Sequence, residues 1–183
     1  LQIASVAHPL PEGFVQPSTT IIDDIGREID SRIVGAYRDL VNAAKADGLN
    51  IYPISGFRPH STQVSLFNAR VEQARNDGYA DPEAEAARHV AKPGTSEHEL
   101  GLAVDFNSVD ESYFRNTAEA KWLAAHCAEY GFVIRYPEDK ESVTGIIYEP
   151  WHLRFVGVKH AKRMNELNMC LEEYNEYIKS GNS

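Results

Sequence analysis

The stretch Ser96-Glu97-His98-Glu99-Leu100-Gly101-Leu102-Ala103-Val104-Asp105 restricts this chain more than any other feature. Read as a strand, Gly101, Ala103 and Asp105 fall on one face and Leu102, Val104 and Phe106 on the other. The apolar trio belongs against a core. The small residues on the opposite face leave room around a carboxylate. A carboxylate in that position needs a partner, and a divalent cation and an arginine are the two obvious ones.

Two further segments bear on that choice. His98 lies seven residues before Asp105, in a loop opened by Pro93-Gly94-Thr95-Ser96. Glu149-Pro150-Trp151-His152 follows well downstream. Two imidazoles and a carboxylate make a three-ligand set that leaves a zinc ion an open position for water, with Glu149 as a spare carboxylate. His98-Glu99-Leu100-Gly101-Leu102 is not the H-E-x-x-H helix of other zinc peptidases, because the second histidine is missing, so Glu99 is not expected to be the base. In a regular strand Glu149 and His152 would face opposite ways, but Pro150 interrupts regular pairing and allows a turn to bring them together. Each residue alone also has a plainer reading. Asp105 would pair with an arginine, His98 would be a solvated loop histidine, and Glu149 an exposed loop acid.

The surrounding pattern is that of a soluble α+β chain. Residues 30–47 carry Ile33, Val34, Tyr37, Leu40, Val41 and Ala44 at helical spacing, closed by Gly48. Ile51–Ile54 reads as a short strand. Ser61 opens a helix through Asp77, Asp81-Pro82-Glu83 opens another to Val90, and Thr117 starts one that Gly131 ends. Phe132–Tyr136, Val143–Tyr148 and His152–Val156 are β-rich, Pro137–Gly145 is a polar loop, and a helix over Leu171–Lys179 closes the chain. Residues 1–28 read as an irregular wrap around one domain spanning 1–183. Helices come first and strands cluster late, which predicts a mostly antiparallel sheet with helices packed on one side.

With 183 residues and 43% hydrophobic content, the chain can build a core without staples. A formal net charge of -9 and the absence of a basic stripe argue against a nucleic-acid partner. Its apolar runs are too short to span a membrane. Cys127 and Cys170 form no metal-knuckle spacing; two separate thiols, at least one of them buried, is preferred over a disulfide between them, which the sequence leaves open.

Taken together, these segments resemble the VanY-type D-Ala-D-Ala carboxypeptidases, relatives of lysostaphin-type enzymes and of the hedgehog signalling domain. The resemblance runs from His8-Pro9-Leu10-Pro11 through Ser55-Gly56-Phe57-Arg58, Gln63, Pro93–His98, Gly101–Asp105, Tyr130-Gly131-Phe132, Arg135-Tyr136-Pro137, Thr144-Gly145-Ile146 and Glu149–His152 to Leu171–Tyr174. The S-x-H-x-x-G-x-A-x-D pattern followed by E-x-W-H is its most specific part.

The resemblance implies that His98, Asp105 and His152 bind one zinc ion, with Glu149 as general base and later proton donor. It implies that Arg58 holds the substrate carbonyl or the anionic intermediate, and that Gln63 and Ser96 contact substrate. The plainer reading of Arg58 is an ion pair with an acid of the following helix. The implied reaction is removal of C-terminal D-alanine from peptidoglycan stem peptides. The D,D-carboxypeptidase is favoured over an L,D-carboxypeptidase or a D,D-dipeptidase, and a non-catalytic zinc module is the reading from another class. The implied location is extracytoplasmic, with an anchor preceding Leu1, against a cytoplasmic alternative. A closed structural zinc site would instead need His89, Cys127 or another group as fourth ligand.

Overall fold

The computed structural model describes residues 1–181. A four-stranded antiparallel sheet forms its centre, in the order β3 (Pro53–Ser55), β4 (Ala103–Phe106), β6 (His152–Phe155), β5 (Phe132–Ile134). A separate hairpin pairs β1 (Thr19–Ile21) with β2 (Glu28–Asp30), so the segment expected to be irregular contains a strand.

Strand parity separates the two faces of the sheet. Val104 lies opposite Leu153, and Leu153 opposite Ile134. These residues join Phe106, Phe132 and Phe155 on one apolar face. The helices α1 (Val34–Ala46) and α5 (Ala118–His126) cover that face with Tyr37, Leu40, Ala44, Trp122 and Leu123. On the other face Ala103 and Val133 flank Arg154, and Asp105 lies directly opposite His152. A sheet that keeps one face dry and aligns its charged residues on the other has already placed a polar site.

Both α1 and α5 obey their end signals. A 3-10 turn over Ser31–Ile33 precedes α1, capped by Asp30, whose carboxylate accepts from Arg32 N at 2.8 Å. Thr117 Oγ1 accepts from Ala120 N and starts α5. A 3-10 turn over Cys127–Tyr130 and then Gly131, at φ +84°, end that stretch. A Cβ on Gly131 would lie 2.8 Å from the Phe155 ring, so both backbone and space require glycine there.

Two helices flank the polar face, α2 (His60–Asn76) and α3 (Pro82–Ala87). Ser61 does not cap α2. Pro59 occupies that position without a side-chain bond. Asp81 caps α3 as expected, accepting from Ala84 N at 3.0 Å. After β4 comes the short α4 (Glu111–Phe114). Val143–Tyr148 is not a strand. Glu141–Thr144 forms the helical turn α6, and Gly145 leaves it at φ +75°. The glycine splits the β-branched run, so neither half is long enough to pair.

A helix that the sequence reading missed, α7 (Val158–Leu167), packs with α8 (Leu171–Lys179) beside Val133 and Val156 in a second apolar cluster. The N-terminal segment closes over that end. The Leu1 amine donates to Asn175 Oδ1, and the Gln2 carbonyl accepts from Arg154. Cys127 and Cys170 are both free and buried. Among the described residues no helix is long and apolar enough to cross a membrane.

Candidate active site

Three elements of different origin meet on the polar face. His98 sits in a 3-10 turn, Glu97–Leu100. The Ser96 side chain caps this turn, accepting from His98 N at 3.3 Å, and Gly101 ends it in the left-handed region. Asp105 comes from β4 and His152 from the start of β6. Glu149 precedes that strand in a tight turn through Pro150, where His152 N donates to the Glu149 carbonyl at 3.2 Å. The turn removes the parity conflict between Glu149 and His152. The hairpin buttresses the site from behind, because Phe57 N donates to the Glu28 carbonyl at 2.6 Å and Asp30 N to the Gly101 carbonyl at 3.0 Å.

The donor atoms of His98, Asp105 and His152 lie within 4.8 Å of one another, and all three residues are buried. His98 Nε2 is 3.2 Å from Asp105 Oδ2, and His152 Nδ1 is 3.1 Å from Asp105 Oδ1. Glu149 Oε2 stands 3.4 Å from His152 Nδ1. His98 Nδ1 lies 2.7 Å from the Gly56 carbonyl, which can only accept. In a neutral ring the proton is therefore on Nδ1, and the lone pair on Nε2 faces a carboxylate. The Arg58 guanidinium bridges that pair, 3.1 Å from His98 Nε2 and 2.8 Å from Asp105 Oδ2, while Asp105 Oδ1 is buried without a hydrogen-bond partner. The donor set, two imidazoles and a carboxylate, suits zinc. Arrangement and donor chemistry both fit a metal ion.

The electrostatics differ between the two rings, and around His152 they favour positive charge. Burial and the Arg58 guanidinium push His98 down to about 4, which keeps its ligand nitrogen free. Burial also opposes protonation of His152, but the Asp105 and Glu149 carboxylates outweigh it and raise that ring to about 9. Burial raises the Glu149 carboxyl above the usual range. Burial works the same way on Asp105, but the two histidines hold it well below the ordinary carboxylate value.

Arg58 does not pair with an acid of the following helix. It donates to Asp105 Oδ2 at 2.8 Å and to Ser55 Oγ at 2.8 Å, and its NH2 lies 3.1 Å from His98 Nε2. Ser96 lines the cleft beside the trio. Gln63 does not face it. Its side chain is fully buried, donating to the Ala91 carbonyl at 2.7 Å and accepting from Arg58 at 3.3 Å. Gln63 thus braces Arg58 from beneath the cleft wall. Glu99 is engaged away from the trio, by His60 Nδ1 at 2.8 Å and Gly94 N at 2.8 Å. Neither candidate fourth ligand joins the trio. Cys127 is in the apolar core and His89 is held by Glu85.

The sequence reading missed a charged layer under the site. Glu97 is fully buried with Arg135 Nε at 2.9 Å and Arg154 NH1 at 2.6 Å. Arg135 continues to Glu172 on α8. Tyr136 packs tilted against His152 with ring centroids 5.0 Å apart and lines the cleft. The signal for Arg154 was available, since it shares strand parity with His152 and a buried arginine requires an acid.

The VanY family model, described as D-alanyl-D-alanine carboxypeptidase, matches residues 26–158. This chain belongs to the VanY family. It is 43% identical to a D-alanyl-D-alanine carboxypeptidase of Enterococcus faecalis, over 81% of this chain and 56% of that protein. The chain thus spans little more than half of that relative's length. A bifunctional D-Ala-D-Ala dipeptidase and carboxypeptidase, VanXYC of Enterococcus gallinarum, is 31% identical over 97% of this chain and 94% of its own. Among solved structures, VanYB in complex with D-alanine-D-alanine superposes with a TM-score of 0.88 at 36% identity, covering 96% of each chain. A mutant of a vancomycin-resistance VanY, in complex with Zn(II), gives 0.85 at 36% identity, covering 94% of this chain and 97% of that one. The VanY fold and the buried trio therefore occur together in this chain.

Proposed function

We propose that this VanY chain is a zinc-dependent D,D-carboxypeptidase that removes the C-terminal D-alanine of peptidoglycan stem peptides. The observation that carries this reading is the convergence of His98, Asp105 and His152 within 4.8 Å, in a cleft of about 730 Å³ that Glu149 and Arg58 also line. Zinc held by His98 Nε2, Asp105 and His152 Nδ1 would supply Lewis acidity, making a water acidic enough to attack and polarising the peptide carbonyl.

The chain's own residues do the rest. Glu149 takes the proton of the attacking water as its oxygen bonds to the carbonyl carbon. Its raised proton affinity suits a group that must hold that proton and then give it up. The proton passes to the amide nitrogen as the carbon–nitrogen bond breaks, releasing D-alanine and a shortened peptide carboxylate. Arg58, fixed by Ser55 and Gln63, donates to the negative oxygen that develops. Ser96 lies at the cleft wall, where the leaving residue would sit.

Likeness to VanYB supports the D,D reading over the L,D one. An L,D-carboxypeptidase, LdcB, superposes less closely, at 0.75. Stem peptides are built into the wall outside the membrane, so we assign extracytoplasmic action.

The test is mass spectrometry of products from tetrapeptide, pentapeptide and D-Ala-D-Ala, with and without chelator. Zinc-loaded protein should release one D-alanine from pentapeptide. Glu149→Gln should lower the rate on the order of 10²–10⁴ while zinc stoichiometry stays at one. A chelator-insensitive activity, or a Glu149→Gln variant of normal rate, contradicts the assignment.

A further inference from the structure

The cleft contains a cation that the chemistry above does not use. Leu66, Arg70 and Gln73 recur along α2 at spacings of four and three, and all three line the cleft. His89, just beyond α3, lines it beside them. The Arg70 side chain is only 19% exposed. Among the described residues its charge partner is Glu85, whose Oε1 lies 3.9 Å away, beyond hydrogen-bond reach.

Glu85 is already taken. Its Oε1 is bound by His89 Nε2 at 2.8 Å and its Oε2 by Arg88 NH1 at 3.3 Å. The other arginines buried around the site are treated differently. Arg58, Arg135 and Arg154 each meet a carboxylate within 2.8 Å. Arg70 is therefore partly buried at the cleft wall, in a long ion pair with Glu85 and without a hydrogen-bonded acid. A guanidinium fork so placed matches one ligand chemistry well, a carboxylate received by two parallel N–H groups. The cleft, at about 730 Å³, also has room for more than a leaving alanine.

We propose that Arg70, with Gln73 beside it and Glu85–His89 behind it, is a carboxylate-binding subsite for the peptide substrate. This rests on the carboxypeptidase reading and adds a group that reads the peptide away from the reacting bond. A peptide offers two sources of that chemistry, an acidic side chain upstream of the scissile bond and the terminal carboxylate of the leaving residue.

Steady-state kinetics of the zinc-loaded enzyme test the proposal. Two pentapeptides ending in D-Ala-D-Ala would be compared, identical except that the third side chain ends in a carboxylate or its carboxamide, with inhibition by free D-alanine measured alongside. Arg70→Gln should raise KM on the order of ten- to a hundredfold, with kcat changed by less than about twofold. Arg70→Lys should recover part of the loss, since it keeps the charge without the fork. Arg75→Gln, exposed on the same helix, serves as the control and should leave KM alone.

A loss confined to the acidic peptide assigns the subsite to the side chain. An equal loss on both peptides together with weakened D-alanine inhibition assigns it to the terminal carboxylate. KM within about twofold of the parent on both peptides overturns the proposal. So does an equal loss with unchanged D-alanine inhibition, or a loss matched by Arg75→Gln. If the parent enzyme releases D-alanine from neither peptide, the carboxypeptidase reading falls and the subsite falls with it. A parent that is active beside an unaffected Arg70→Gln removes the subsite alone.

Discussion

Glu97→Gln would test how the site is supported from below. Glu97 is fully buried, and its Oε1 is 2.9 Å from Arg135 Nε and 2.6 Å from Arg154 NH1. The substitution keeps shape and removes charge. Arg135 retains a bidentate pair with Glu172, at 2.9 and 2.5 Å. Arg154 retains only neutral acceptors, the Phe155 carbonyl at 3.0 Å and the Gln2 carbonyl at 2.6 Å. One cation, not two, is therefore left buried without an acid, and breaking such a pair costs about 3–5 kcal/mol.

Glu172→Gln should cost less, on the order of 1–2 kcal/mol, because Glu97 still serves Arg135 and the Glu172 side chain is 16% exposed. Urea denaturation of the chelated protein at neutral pH is the assay, since bound metal would mask part of the loss. At roughly 2–4 °C per kcal/mol, the midpoint of thermal unfolding should fall by about 6–20 °C for Glu97→Gln. The paired change Glu97→Gln with Arg154→Met should recover part of it, because no orphan charge remains. A loss below about 1 kcal/mol for Glu97→Gln, or a larger loss for Glu172→Gln, would refute this account of the layer.

Gly56→Ala should weaken metal binding without touching a ligand. A Cβ there would lie 2.2 Å from the Glu28 carbonyl oxygen, a backbone atom that cannot swing away, and the Gly56 carbonyl orients His98. Calorimetric zinc titration should show at least a tenfold lower affinity, in the range seen for removal of outer-shell partners, and an unchanged affinity would contradict the link. Burial raises the Cys127 thiol to about 12 and the Cys170 thiol to about 11. Both are therefore protonated at pH 8 and should react with a thiol reagent only as fast as the chain opens. Rapid labelling of either cysteine in the native protein would show that the core is looser than described.

What could be read from the chain follows from how local each signal is. The caps Asp81 and Thr117, the stop at Gly131 and the α8 boundaries depend on contacts within a few residues, and they matched. The parity of 101–107 also held, because Val104 and Phe106 sit in the core and Asp105 faces away from it. The hairpin β1–β2 and the helix α7 went unread for different reasons. The strands are three residues long, too short for alternation to register, and α7 carries its apolar side on Ala161, Met164 and Leu167 amid charged residues. Val143–Tyr148 failed because β-branched residues favour a strand only where an edge is free to pair, and Gly145 turns the chain first.

The same distinction explains the site. His98, Asp105, Glu149 and His152 were legible because two short motifs carry all four, and a motif keeps its internal geometry wherever the fold places it. The bracing of Arg58 by Gln63 was not legible because it depends on which way α2 rotates. That rotation turns the Gln63 amide toward Arg58 and Ala91 and turns Arg70 into the cleft instead. Glu97, Arg135 and Arg154 come from three separate segments and have meaning only as a set. Yet one rule would have found them. An antiparallel strand that buries both faces and places His152 and Arg154 on the same one must supply each with a negative partner. Asp105 answers the first through direct register. The second demands a buried acid, and of the two that flank His98, Glu97 meets Arg154, while Glu99 is held by His60 and Gly94.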